Sequence, residues 1–214
     1  IGLRKLEIIE TAVLGGTFDP VHKGHLALAH DILERELAQE VMFVPSARPP
    51  HKSGQKITSS EDRLAMLELA IQDEEKFLIS DYEIENNYRE SYTIHTLTAL
   101  KTAMPSRRFK LVIGMDNLEI LHTWYKYADI IRDYPVITYG RPGVKKQFQF
   151  NLIERFAGRQ VENLMRGIID DGPQNNISST EIRQGIATGK VNESLVIPQV
   201  MEYIKDKGLY NESN

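Results

Sequence analysis

Two histidines three positions apart, His22 and His25, close the run Gly15-Gly16-Thr17-Phe18-Asp19-Pro20-Val21-His22-Lys23-Gly24-His25. At that spacing both imidazoles fall on one face of a helix's first turn. Each can donate a hydrogen bond, and Gly24 between them carries no side chain to block a ligand. Two donors aimed at one point suit a phosphorane-like transition state, in which negative charge builds on non-bridging oxygens. Gly15 and Gly16 let the main chain approach a phosphate and open dihedrals closed to other residues. The N–H groups of the helix start then favour an anion there. The run is neither the G-x-G-x-x-G dinucleotide fingerprint nor a Walker loop with its Lys-Ser/Thr. Zinc is the competing use of two histidines, but the chain has no cysteine and no third ligand close in sequence. We expect no metal held by the chain's own side chains.

Residues of this kind need a scaffold that places them side by side. Apolar runs with strand character alternate with amphipathic stretches along the chain. The strands expected are 11–14, 41–45, 77–82, 109–113, 135–139 and 167–170. A first helix starts around His22, with Leu26, Ala29, Leu33 and Leu37 at helical spacing along one face. A second covers 63–71 behind Ser60 as N-cap, and a third covers 93–104 until Pro105 stops it. The last runs over 197–207 with Val200, Tyr203 and Ile204 as its apolar stripe, and ends at Gly208. Alternating strand and helix implies right-handed βαβ units and a parallel sheet covered on both faces. Ligands of such sheets sit beyond the carboxyl ends of the strands, where the strand order switches. The expected fold class is therefore α/β, a Rossmann-like doubly wound parallel sheet flanked by helices. The expected organisation is a single domain over 1–214 with a C-terminal helical part at about 178–210.

Directly after the strands come further candidates. The stretch from Arg48 to Lys56 carries Arg48, Lys52 and Lys56 with His51 and no carboxylate, behind prolines that stiffen the loop. It reads as an anion loop or as a solvated basic loop, and Arg63 on the next helix either supports it or is solvated. Thr93 reads as a helix-start hydroxyl. Gly114 and Asp116 follow the fourth strand; Asp116 suits a ribose hydroxyl, or caps the helix from Asn117 onward. Trp124, the sole tryptophan, and Tyr125 come next; a lone Trp is more often packing than a ligand platform. Arg141 follows the fifth strand. Ser178 and Glu181 have the spacing of a capping box. Arg183 then sits near the positive end of the helix dipole, where a cation is unfavourable unless an anion such as a polyphosphate accompanies it.

The Gly-Gly-Thr-Phe-Asp-Pro-Val-His-x-Gly-His run closely resembles the signature of the nicotinate mononucleotide adenylyltransferases, within the H-x-G-H nucleotidyltransferase superfamily. The similarity extends from Thr11 almost to Tyr210. It implies a nucleotidyltransferase-type Rossmann-like fold and adenylyl transfer from ATP to nicotinate mononucleotide, releasing pyrophosphate. By the same resemblance His22, His25, Lys52 and Arg183 are catalytic. Gly15, Gly16, Thr17, Phe18, Gly114, Asp116, Arg141, Ser178 and Arg183 bind ATP. His51 and Lys52 reach phosphates, Thr93 helps hold the pyridine carboxylate, and Trp124, beside Tyr125, stacks on the pyridine ring. Magnesium accompanies ATP, held by phosphates and water. Where that family has aspartate, this chain has His95. Competing readings are nicotinamide mononucleotide or phosphopantetheine as acceptor, and a non-catalytic nucleotide-binding protein.

At 214 residues the chain can bury a sizeable core, and its 41% hydrophobic and 26% charged content is that of a globular protein. A net charge of -4 argues against general affinity for nucleic acid or anionic membranes. No apolar run is long enough to span a bilayer and no secretory leader is recognisable, so a cytoplasmic setting is expected. A homo-oligomer is compatible with all of this.

Overall fold

The computed structural model describes residues 7–47, 57–86, 91–140, 152–173 and 177–211. His51, Lys52 and Arg141 lie outside them, as does the basic loop from Arg48 to Lys56. Strand β1 (Ile9–Gly16) begins on a charged edge and then buries Thr11, Ala12, Val13 and Leu14 in succession. Such a run lacks the in–out alternation of a half-solvated strand, because both faces of a doubly wound sheet are covered. Burying each Val or Leu of this kind contributes roughly 1.5–3 kcal/mol. The same logic shapes β2 (Glu40–Pro45), with Val41 to Val44 buried, and β4 (Arg107–Gly114), with Leu111 to Ile113 buried. Shorter strands β3 (Phe77–Ile79), β5 (Val136–Tyr139) and β6 (Ile168–Ile169) complete a six-stranded sheet of order β3-β2-β1-β4-β5-β6. β4 pairs in parallel with β1, from Ile9 opposite Arg107 to Leu14 opposite Val112. β4–β5 and β5–β6 are parallel too. The order reverses at β1, the switch point at which Rossmann-like sheets bind ligands.

The helices, in chain order, are α1 (Lys23–Glu34), α2 (Ser60–Ile71), α3 (Tyr82–Asn86), α4 (Thr93–Ala103), α5 (Met115–Ile120), α6 (Tyr127–Asp133), α7 (Gly158–Arg166), α8 (Ser179–Ala187) and α9 (Pro198–Lys207). The expected elements are all present, with boundaries moved for local reasons. The strand expected over 77–82 stops at Ile79: the Ser80 N–H still donates to the Phe43 carbonyl of β2, but its hydroxyl accepts from the Tyr82 N–H. Side-chain bonding of that kind competes with the ladder and starts α3 instead. α1 ends at Glu34, and Glu36 turns left-handed at φ 55°, so Leu37 leaves the apolar stripe and Ile32 fills the buried face beside Ala29. The N-cap of α2 is Ser59, not Ser60: its Oγ accepts from the Asp62 N–H at 3.0 Å. α4 ends at Ala103 with Met104 as C-cap, just short of Pro105. α9 ends on Gly208 at φ 62°, a left-handed cap that glycine adopts without strain. At the start of β6, a Cβ on Gly167 would stand 1.7 Å from the Val136 carbonyl oxygen, so only glycine fits.

The chain divides into two compact units. One comprises Ile1–Leu14, Ile32–Met42 and Tyr92–Gln174; the other comprises Gly15–Asp31, Phe43–Ser91 and Asn175–Asn214. In the first, an ionic row lines the start of β1 and β4: Glu40 accepts from Arg107 and Thr11, and Glu10 pairs with Arg108 and Lys110.

Candidate active site

Gly15 and Gly16, the last two residues of β1, open the second unit and lead into the turn at Asp19-Pro20, hereafter the glycine turn. Neither glycine adopts a positive φ, contrary to the sequence expectation; the left-handed residue is Phe18, at φ 50°. Gly16 is required for a different reason, since a Cβ there would stand 3.0 Å from the Phe18 ring. That ring is 2% exposed and packs edge-on against His25 at 5.0 Å and Phe43 at 5.7 Å. Phe18 is thus the apolar backing of His25, and any contact it makes with a nucleotide falls to its main chain. Gly15 is exposed with open space around it.

His22 and His25 come together as the spacing predicts. Their rings stack at 3.8 Å with 25° between planes, and the His22 main-chain N–H donates to His25 Nδ1 at 3.2 Å. That bond makes Nδ1 the acceptor, so in the neutral ring the proton of His25 sits on Nε2. The glycine between them serves His22 itself: a Cβ on Gly24 would meet the His22 ring at 3.0 Å. Burial pushes the His22 imidazole down from 6.5 to about 4. Burial, then the neighbouring His22, pushes His25 well below its ordinary value. Both rings are therefore neutral donors near neutral pH, and a bound polyphosphate would draw protons toward them.

Depressed histidines make folding pH-dependent with a definite sign. Below 6.5 the unfolded chain takes up a proton on His22 that the folded chain refuses until about pH 4. Stability contributed by the neutral ring is present above pH 6.5 and is lost as pH falls through that window. Between near pH 7 and near pH 5, wild type should lose about 2 kcal/mol more unfolding free energy than His22→Asn. Urea unfolding of both proteins at the two pH values checks this; equal losses would refute the buried neutral His22.

Around the pair, polar side chains bind the loop to its surroundings. Arg63 is 1% exposed and its guanidinium donates to three carbonyl oxygens: Thr17 at 2.9 Å, Ser46 at 2.9 Å and Thr58 at 3.1 Å. A fourth bond reaches Ser60 Oγ at 3.1 Å. Arg63 is thus a buried brace of the turn, neither solvated nor aimed at ligand. Asp19, 2% exposed, accepts from the Tyr210 hydroxyl at 2.7 Å and the Thr58 N–H at 3.4 Å. Arg183, half-buried, donates Nη1 to the Asp19 carbonyl at 2.6 Å and Nη2 to Thr180 at 3.3 Å. Ser178 has N-cap backbone geometry but no side-chain cap bond, so the expected capping box with Glu181 does not form. The neighbouring hydroxyl of Ser179 instead donates to the Pro20 carbonyl at 3.0 Å. His22, His25, Thr17, Ser178 and Arg183 thus share one unit with the glycine turn.

The other unit carries Thr93, Gly114, Asp116, Trp124 and Tyr125. Gly114 ends β4 and is itself the N-cap of α5, so Asp116 lies inside the first turn and does not cap it. The Asp116 carboxylate folds back toward Gly114, 2.6 Å from where a Cβ would stand. Thr93 is the first residue of α4; the N-cap is Tyr92, and no side chain caps that helix. The Tyr92 ring lies 4.6 Å from Tyr125, and His95 meets both rings edge-on at 5.6 Å. This brings the start of α4 and the Trp124-Tyr125 segment to one place. Tyr125 is 44% exposed, while the Trp124 Nε1–H is buried with no acceptor among the described residues. An indole donor without an acceptor is unusual for packing alone. Among the described residues, no three His, Asp or Glu side chains lie close enough to hold a metal ion.

Asp19, Ser179, Tyr92 and Tyr210 escape the sequence reading as site residues, and Arg63 enters it only as a support of the basic loop or a solvated cation. For Arg63 a signal existed. It shares the buried stripe of α2 with Met66, Leu67 and Ala70 at helical spacing, and a cation on an apolar stripe must have buried partners.

Comparison with known proteins identifies the family of the chain. The model of the cytidylyltransferase-like family matches residues 13–185. A nicotinate-nucleotide adenylyltransferase of Dehalococcoides mccartyi (strain CBDB1) is 38% identical over 203 residues, covering 94% of this chain and 97% of the relative. The like-named protein of Caldicellulosiruptor bescii is 37% identical over 206 residues, covering 94% and 99%. Among solved structures, the Plasmodium falciparum nicotinic acid mononucleotide adenylyltransferase complexed with NaAD matches with a TM-score of 0.71 at 17% identity, over 94% of this chain and 97% of that one. That likeness establishes the fold. The identities and the near-complete coverage place the chain, within the cytidylyltransferase-like family, among the nicotinate-nucleotide adenylyltransferases.

Proposed function

We propose that the chain transfers the adenylyl group of ATP to nicotinate mononucleotide, giving nicotinate adenine dinucleotide and pyrophosphate, a step of NAD biosynthesis. The observation that carries this reading is the stacked, neutral His22–His25 pair at the end of the β1 turn. An oxygen of the mononucleotide phosphate attacks the α-phosphorus of ATP. The new O–P bond forms as the bond to the bridging oxygen breaks, and pyrophosphate leaves with the electron pair. A phosphate monoester with a second pKa of about 6 is largely dianionic at neutral pH, so no strong general base is needed. The protein's part is in-line positioning and neutralisation of charge. His22 and His25 donate to the oxygens on which charge develops, and Lys52 and Arg183 are assigned to neutralising the same charge.

Within this proposal Gly15, Gly16, Thr17, Gly114, Asp116, Arg141 and Ser178 hold ATP, and Phe18 contributes its main chain. His51, Thr93, Trp124 and Tyr125 hold the mononucleotide, the Trp124 Nε1–H, which has no acceptor among the described residues, offering a donor to it. ATP enters as its magnesium complex. We assign the metal to phosphate oxygens and water. The substrates are small soluble nucleotides, and we assign the reaction to the cytoplasm. Pyrophosphate release is to be measured with magnesium–ATP and each of nicotinate mononucleotide, nicotinamide mononucleotide and phosphopantetheine. Release with the nicotinate acceptor alone is expected. Release only with another acceptor would refute the assigned acceptor pocket, and none with any would favour a non-catalytic nucleotide binder.

A further inference from the structure

We propose that Tyr210 is a positioning residue for adenylyl transfer, holding the His22–His25 pair in place by fixing Asp19. The inference rests on the transferase reading above and extends it to the far end of the chain. α9 does not simply stop at Lys207. The N–H groups of Gly208 and Leu209 turn back onto the Lys205 and Ile204 carbonyls, and Gly208 and Tyr210 both take left-handed backbone, at φ 62° and 64°. That fold-back carries the phenol to the glycine turn, where it donates to Asp19 Oδ1 at 2.7 Å, a contact spanning 191 positions. Burial, then the Asp19 charge, pushes the phenol's pKa upward, so it stays a donor.

Three of the bonds that fix the turn meet at Asp19. One carboxylate oxygen takes the Tyr210 hydroxyl and the other the Thr58 N–H, while its carbonyl takes Arg183. The next carbonyl, of Pro20, takes Ser179 Oγ. Val21, fully buried, and His22 follow at once. A buried carboxylate deprived of its shortest donor must find another or shift. Any shift here passes directly to His22, and transfer chemistry tolerates little misplacement. Nor is the hydroxyl needed to anchor α9. That helix is held by buried Val200, Met201 and Ile204 and by the Tyr203 hydroxyl on Asp62 at 2.8 Å. Tyr210→Phe keeps the ring and removes only the O–H.

The test compares Tyr210→Phe with Val200→Ala, a core change in α9 remote from the turn. In the full chain, with nicotinate mononucleotide and magnesium–ATP, Tyr210→Phe should lower kcat about tenfold and leave the KM for ATP within about twofold. Val200→Ala should lower the melting temperature yet keep wild-type kcat well below it. In parallel, the imidazole signals of 15N-labelled His22 and His25 should move in Tyr210→Phe and stay put in Val200→Ala. Wild-type kcat in Tyr210→Phe, an equal loss in Val200→Ala, or unmoved imidazole signals would each overturn the proposal. If wild type itself releases no pyrophosphate, the transferase reading fails, and the imidazole spectra still decide whether Tyr210 positions the pair.

Discussion

His25→Asn is expected to lower kcat for adenylyl transfer by about 100- to 1,000-fold, while the Kd for magnesium–ATP should change by less than about threefold. The argument begins with the tautomer. His25 Nδ1 is occupied as an acceptor of the His22 N–H, so the proton on Nε2 is the one the ring can offer. The ring is held at a fixed angle, stacked on His22 on one side and met edge-on by Phe18 on the other. A donor fixed in this way needs no reorganisation as charge builds on the phosphoryl oxygens, and the reaction gains from it mainly in the transition state. Ground-state ATP has other partners and loses little. Turnover under saturating substrates, set beside calorimetric ATP binding, separates the two quantities. A large loss of affinity with kcat preserved would mean that His25 binds ATP and does not assist transfer.

Much of this arrangement could be read before any fold was known, and the exceptions have a common cause. Ala12 to Leu14, Val41 to Val44 and Leu111 to Ile113 announce buried strands because strand order and helix cover leave them no solvent face. His22 and His25 are legible because three positions along a helix start is a local distance. The N-cap of α2, by contrast, is Ser59, while the Ser60 hydroxyl expected to cap it accepts from Arg63. The capping box at Ser178 fails in the same region where Ser179 reaches Pro20, 159 positions away. Tyr210 carries no local pattern at all; its role exists only because α9 folds back onto the second unit's glycine turn. Local spacing thus reveals which residues do chemistry more readily than which residues hold them, since the holders are chosen by contacts distant in sequence.

Arg63→Ala is expected to destabilise the fold by about 3–5 kcal/mol. In a chain of this size each 1 kcal/mol lowers the melting temperature by roughly 2–4 °C, so a fall of about 10 °C is expected. The guanidinium joins segments from three parts of the second unit: Thr17 in the glycine turn, Ser46 after β2, and Thr58 before α2. Burial lowers its pKa while the Asp19 carboxylate raises it, and an arginine remains charged across the working range. Removing it leaves three carbonyl oxygens without that donor and takes away a positive charge that interacts with the buried Asp19. Arg63→Lys discriminates between charge and geometry. One ammonium cannot span the same set of acceptors as a planar fork, so Lys should recover less than half of the lost stability although it restores the charge. Full recovery by Lys would mean that Arg63 acts only as the counter-charge of Asp19, and a loss below about 1 kcal/mol in Arg63→Ala would mean that the turn holds itself without this brace. Thermal unfolding of the three proteins decides among these outcomes.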